Sequence, residues 1–114
     1  MALVINHLTG QGTGGQAISN TTKATVHTVP SGEAHKVIIR ATNSAACTVN
    51  TKINGETTGH TVAIEADAFM NVFIGVVDGI SGTPGSRTVE CTTSTGTSLI
   101  SGEYTDVSDV IGSA

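Results

Sequence analysis

Across residues 34–53 the side chains alternate apolar and polar, break at Asn43-Ser44, and alternate again. A period of two marks strands with one buried face. Val37, Ile39 and Ala41 fall on one face of the first half, and Cys47, Val49 and Ile53 on one face of the second, which predicts a β-hairpin. The same pattern predicts strands over residues 23–29, with Ala24, Val26 and Thr28 sharing a face, and 60–65, with Val62 and Ile64 inward. Further strands are expected over 87–93, with Val89 and Cys91 inward, and 97–104. Pro30-Ser31-Gly32-Glu33 and Ser94-Thr95-Gly96 read as turns, and Asn54-Gly55 opens a longer loop.

Residues 69–77 depart from simple alternation. Met70, Val72, Ile74 and Val76 line one face, Phe69, Phe73 and Val77 the other, so both faces are expected to be covered. A sandwich covers one, leaving the second for a neighbouring subunit or the N-terminal arm; alternatively Phe69 and Phe73 close the end of the same core.

Residues 1–22 have a different texture, a short apolar start followed by Gly10-Gln11-Gly12-Thr13-Gly14-Gly15, and are expected to form an extended N-terminal arm. Residues 23–105 form the predicted domain, an all-β, antiparallel β-sandwich or jelly roll of about seven strands. In the tail, 106–114, Val107, Val110 and Ile111 stand at helical spacing after Asp106 and Ser108, either one capped turn or a second arm.

Composition narrows the function classes. The 114 residues include no Trp, two Phe and one Tyr, so the core is built from small β-branched and aliphatic side chains that bury little area each, a core that gains from association. The five Lys and Arg are scattered and the net charge is −4, which argues against nucleic acid or an anionic membrane as partner. The opening Met-Ala-Leu-Val-Ile-Asn-His-Leu lacks a basic region and breaks at Asn6 and His7, which predicts mature protein made in a cytoplasm rather than a signal peptide. The sequon Asn20-Thr21-Thr22 then has no role.

Candidate chemistry is sparse. Gly10-x-Gly12-x-x-Gly15 has dinucleotide-fingerprint spacing but leads into Thr-rich sequence instead of a helix within a βαβ unit, which argues against nucleotide binding. Cys47 and Cys91 lie on apolar strand faces, with buried free thiols favoured over a disulfide. His7, His27, His35 and His60 are dispersed, with no pair at helical metal spacing; a β fold could gather them, but surface or turn positions are the default expectation. Glu65 and Asp67 flank a connection as calcium ligands can, but with too few carboxylates nearby. No Ser, Thr or Cys sits in an activating motif, so no enzyme, cofactor or metal is expected.

Thr28-Val29-Pro30-Ser31-Gly32, then Lys36-Val37-Ile38-Ile39-Arg40-Ala41-Thr42-Asn43, then Ala45-Ala46-Cys47-Thr48-Val49, resembles a pattern recurrent in small tailed-bacteriophage virion proteins, over about 25 of the 114 residues. The wider character, short, Thr- and Gly-rich, armed and without a catalytic site, is similar to capsid decoration (cement) proteins. That resemblance implies a virion protein on the outside of a phage head, commonly a homotrimer, whose partner is the major capsid protein. Under it, Leu3, Val4 and Ile5 would anchor the arm, and Phe69 and Phe73 would make a capsid or subunit contact. A tail, baseplate or head-fibre subunit is the runner-up. A carbohydrate-binding module would need exposed aromatics, for which Tyr104 is the one obvious candidate; a pilus or adhesin subunit would need a secretion signal.

Overall fold

A computed structural model describes residues 5–10, 16–19, 23–80 and 85–112. These form nine strands and one helical turn: β1 (Ile5–His7), β2 (Gln16–Ser19), β3 (Ala24–Val29), β4 (Ala34–Thr42), β5 (Cys47–Ile53), β6 (His60–Ile64), β7 (Phe69–Asp78), β8 (Arg87–Thr93), β9 (Thr97–Asp106) and α1 (Ser108–Gly112). Two antiparallel sheets pack face to face. Sheet A has the order β1-β9-β4-β7, with β2 also on β9, and sheet B the order β3-β8-β5-β6.

The inward faces are those the alternation marked. Val37, Ile39 and Ala41 of β4 and Val49 of β5 are completely buried, with Ile53 nearly so, and Thr51 completes the inward row of β5. The expected hairpin across 34–53 is nevertheless absent. β4 lies in sheet A and β5 in sheet B, so Asn43 to Ala46 form an arch between layers. Two strands that face one core from opposite sides show the same inward pattern as two paired strands; alternation reports which side is buried, not which strand is the neighbour.

Arches dominate the connectivity. β3 to β4, β6 to β7, β7 to β8 and β8 to β9 also cross between sheets, whereas β5 to β6 turns within one. The pairs β2·β9, β3·β8, β4·β7 and β5·β6 nest in chain order, the winding of a jelly roll.

Two bulges interrupt the regular ladders. In β3 the register slips between Thr25 and His27, so Val26 and His27 are both buried and Thr28 turns outward, correcting the expected Ala24, Val26, Thr28 face. In β7 it slips so that Ile39 opposes Phe73 while Arg40 opposes Asn71, leaving Val72 extra.

The segment expected as an arm is part of the sandwich wherever it is described. β1 pairs with Glu103 to Thr105 of β9 and β2 with Thr97 to Ile100. Leu8 and Ile18 are 1% and 2% exposed, inside the core. Leu8 follows Asn6-His7 and Ile18 stands between Ala17 and Ser19, so no periodic run announced either. The tail is the capped turn: Ser108 N–H donates to Asp106 Oδ1, and Val107 N–H reaches Ala34 O at 2.8 Å.

Candidate functional site

The two outer faces differ sharply. Pairing registers place Thr48, Asn50 and Lys52 of β5 beside Thr61 and Ala63 of β6 and Glu90 and Thr92 of β8, a polar surface on sheet B. On sheet A the registers define cross-strand rows: Ile5, Thr105, Lys36, Val76; then His7, Glu103, Ile38, Ile74; then Ser101, Arg40, Asn71; then Ala17, Leu99, Thr42, Phe69. Ile5, Phe69, Ile74, Val76 and Leu99 are 72, 60, 58, 49 and 46% exposed, large apolar side chains concentrated on β7.

Charge on this face is largely self-compensated. Arg40 and Glu103 form a bidentate pair, both N–H···O distances 2.7 Å. That hydrogen bonding lowers the Glu103 pKa and raises that of Arg40.

β7 is also the outer strand of sheet A, and residues 69–77 carry no charge and no proline, the usual guards of an edge; the bulge at Val72 is its one such device. Between β7 and β6, the edge of the other sheet, runs an open groove of about 490 Å³ lined by Ile53, Glu56, His60, Val62, Phe73 and Val76.

Of the residues the resemblance singled out, Leu3 and Val4 lie outside the described residues. Ile5 is on the outer face of sheet A, but three strand positions from β7, roughly 14 Å at the usual strand spacing. The bulge separates the two phenylalanines: Phe69 faces outward, while Phe73 turns in, packed edge-on against His60 with ring centroids 5.2 Å apart. The structure therefore places Phe69 in one row with Leu99 and on the same outer face as Ile74 and Val76, none of which the sequence reading chose. Tyr104, the aromatic a sugar platform would need, is half-buried and stacked on His35 at 4.4 Å.

A second cluster escaped the sequence reading. His27 and His35, taken there as surface or turn residues, are 0% and 2% exposed. His27 Nε2 and His35 Nδ1 are 2.9 Å apart, and His35 Nε2 is 2.8 Å from Glu33 Oε1. Thr9 N–H donates to His27 Nδ1 at 3.2 Å. A backbone N–H can only donate, so His27 Nδ1 is bare and its proton sits on Nε2, donated to His35 Nδ1; His35 Nε2–H is donated in turn to Glu33. Burial, then the neighbouring His35, lowers the His27 pKa from 6.5 to about 4.

Glu33, His35 and Asp106 offer donor atoms within 4.8 Å of one another, close enough to suggest a cation. The proton order opposes this, since His35 Nε2 carries hydrogen and has no lone pair to give. Asp106 is instead engaged with Ser108, whose side-chain and backbone hydrogen bonds lower its pKa.

Cys47 and Cys91 are free and buried. Cys91 opposes Thr51, four residues along β5 from Cys47, so about 13 Å of strand separates them, well beyond disulfide reach.

Comparison of the chain with protein-family models, with curated proteins and with solved structures finds no match. Fold and site define an antiparallel jelly-roll domain with one polar outer face and one apolar outer face bordered by an open strand edge.

Proposed function

We propose that the chain is a non-enzymatic structural subunit that works by docking the outer face of sheet A, and that it serves as a capsid decoration protein of a tailed phage, a homotrimer bound to the major capsid protein on the virion surface. The observation that carries this reading is the asymmetry of the two outer faces. Phe69, Ile74, Val76 and Leu99 stand in water in the isolated chain, whereas sheet B presents Thr, Asn and charged side chains to solvent. Apolar side chains grouped beside an unguarded edge gain about 25 cal/mol per Å² when another surface covers them. The jelly roll, a recurrent architecture of capsid proteins, supports the class by analogy alone. The resemblance over residues 28–49 supports the virion assignment.

The mechanism is mechanical. Each bound copy adds contact area across a junction between capsid subunits, and many copies fixed on one lattice act together. Sedimentation of the purified chain, with immunogold labelling of virions, tests it. Trimers and gold over the head are expected; monomers at all concentrations, or gold on the tail, overturn it. Removing residues 1–4 then tests Leu3 and Val4 as anchors while leaving the buried Leu8 in place.

A further inference from the structure

Residues 5–10 form a strap across one side of the sandwich. β1 lies on the β9 edge of sheet A, and Leu8 N–H reaches Gly102 O at 3.4 Å before its side chain enters the core. Beyond it the chain crosses to sheet B. Thr9 N–H donates to His27, Thr28 N–H donates to Thr9 Oγ1 at 2.7 Å, and Gly10 N–H donates to Val26 O at 3.0 Å. Gly10 presses against β3 so closely that an added Cβ would stand 2.5 Å from Thr25 O.

We propose that the His27–His35 pair is an acid-operated latch that holds this strap to β3 at neutral pH and releases it when the pair takes up a proton. The argument rests on proton geometry. With Thr9 N–H donating to His27, His27 to His35 and His35 to the Glu33 carboxylate, both Nε2 atoms carry hydrogen and both Nδ1 atoms accept. An extra proton on His27 goes to Nδ1 and faces Thr9 N–H. An extra proton on His35 goes to its Nδ1 and faces His27 Nε2, which must become the acceptor, so His27 moves its own hydrogen to Nδ1 and again opposes Thr9 N–H. Either way the strap loses its acceptor and meets a donor.

The surroundings direct the charge. From the β3–β4 turn Glu33 contacts His35, and from the end of β9 Asp106 lies beside it. Tyr104 of β9 packs on both rings, 4.6 Å from His27 and 4.4 Å from His35. The neighbouring strands oppose the histidines with uncharged residues, Val89 of β8 to His27 and Val77 of β7 to His35. Positive charge is therefore compensated on the His35 side, next to two carboxylates, while the displaced hydrogen reaches the Thr9 side. The low His27 pKa, set by burial and then by the neighbouring His35, places release between about pH 6.5 and 4.

A nitrogen-15 NMR titration of the full chain, from about pH 7.5 to about 3.5, tests the latch. Amide protection at Leu8, Thr9 and Gly10, corrected for intrinsic exchange, should fall more than about tenfold in that window while Val37, Val49 and Val89 stay protected. Fluorescence of Tyr104, the single tyrosine in a chain without tryptophan, should change with the same midpoint. At neutral pH the ring nitrogens should show protonated Nε2 on both histidines. His27→Asn keeps an acceptor toward Thr9 that does not titrate, and its strap should stay protected throughout. A strap protected to the end of the titration, strap and core lost together, or a reversed tautomer on either ring overturns the proposal. So does a His27→Asn strap that opens with the wild-type midpoint. Should that variant fail to fold, the wild-type titration and tautomers decide alone.

Discussion

Asn43 Nδ2 donates at 2.8 Å to the carbonyl of Thr95, 52 residues further along the chain. The same amide donates to Ser98 Oγ at 2.9 Å, Asn43 Oδ1 accepts from Ala45 N–H at 3.0 Å, and Asn43 O accepts from Asp67 N–H at 2.8 Å. One 4% exposed side chain with its backbone thus ties three of the arches joining the sheets. Asn43→Ala leaves buried acceptors unpaired and is expected to cost roughly 2–4 kcal/mol, read as a lowered urea midpoint at unchanged slope.

Gly102 sits at the centre of β9, opposite Ile39, where an added Cβ would collide with the Ile38 carbonyl oxygen. Backbone at the middle of a sheet cannot move aside without breaking ladder bonds. Gly102→Ala should therefore destabilise by about 3 kcal/mol or more, seen as loss of soluble protein or of cooperative unfolding. Gly96→Ala, at a surface turn with φ 59° where an added Cβ would meet only Asn43 Oδ1, at 4.0 Å, should cost only about 1 kcal/mol.

Acid should weaken the fold through His27. His27 has a folded pKa of about 4 against 6.5 unfolded, so between those values the unfolded chain binds the proton first and stability falls as pH falls. The full effect is roughly 3 kcal/mol, present above pH 6.5 and lost by about pH 4. Glu103, whose pKa is lowered by its hydrogen bond to Arg40, adds a second loss at more acid pH. Urea unfolding at successive pH values should show this slope for the wild type and a shallower one for His27→Asn.

The thiol of Cys91 should be silent in the folded protein. Burial pushes its pKa up to about 11, against a smaller lowering by its hydrogen bond with Thr51, so almost no thiolate forms at neutral pH. A disulfide-exchange reagent is expected to label it at the global unfolding rate, and mild oxidant to leave Cys47 and Cys91 unbridged. Fast labelling of Cys91, or a shift of the monomer on a non-reducing gel, would contradict the structure.

Much of the fold was legible from alternation alone. The inward residues of β4, β5 and β8 are Val37, Ile39, Val49, Val89 and Cys91, as the period of two requires, and the two-layer antiparallel class follows from them. Pairing was not legible, because an arch and a hairpin share one burial pattern and the difference at Asn43 lies in partners far along the chain, Asp67, Thr95 and Ser98. The site was hidden for a related reason. Both bulges add a residue where strict alternation assigns the wrong face, turning His27 inward in β3 and parting Phe69 from Phe73 in β7. His27, His35 and Asp106 come from three strands, and their spacing carries no motif. The one usable signal was His35 itself, in phase with Val37 and Ile39 on a face otherwise wholly apolar.

The apolar outer face offers the most direct test of docking. Ile74 opposes Ile38 in the β4–β7 ladder and is 58% exposed, so replacing it removes little from the core. Ile74→Lys should change unfolding stability by no more than about 0.5 kcal/mol. A surface that buries Ile74 would then bury an ammonium without a partner, and lysine on an edge strand is a standard block to strand pairing. Self-association or capsid binding should weaken by more than about tenfold, equivalent to about 1.4 kcal/mol. Thr92→Lys, on the polar face of sheet B, is the matched control and should leave association within about twofold. Sedimentation equilibrium of both variants reads the difference, and equal loss in the two, or none in Ile74→Lys, would move the docking surface away from sheet A.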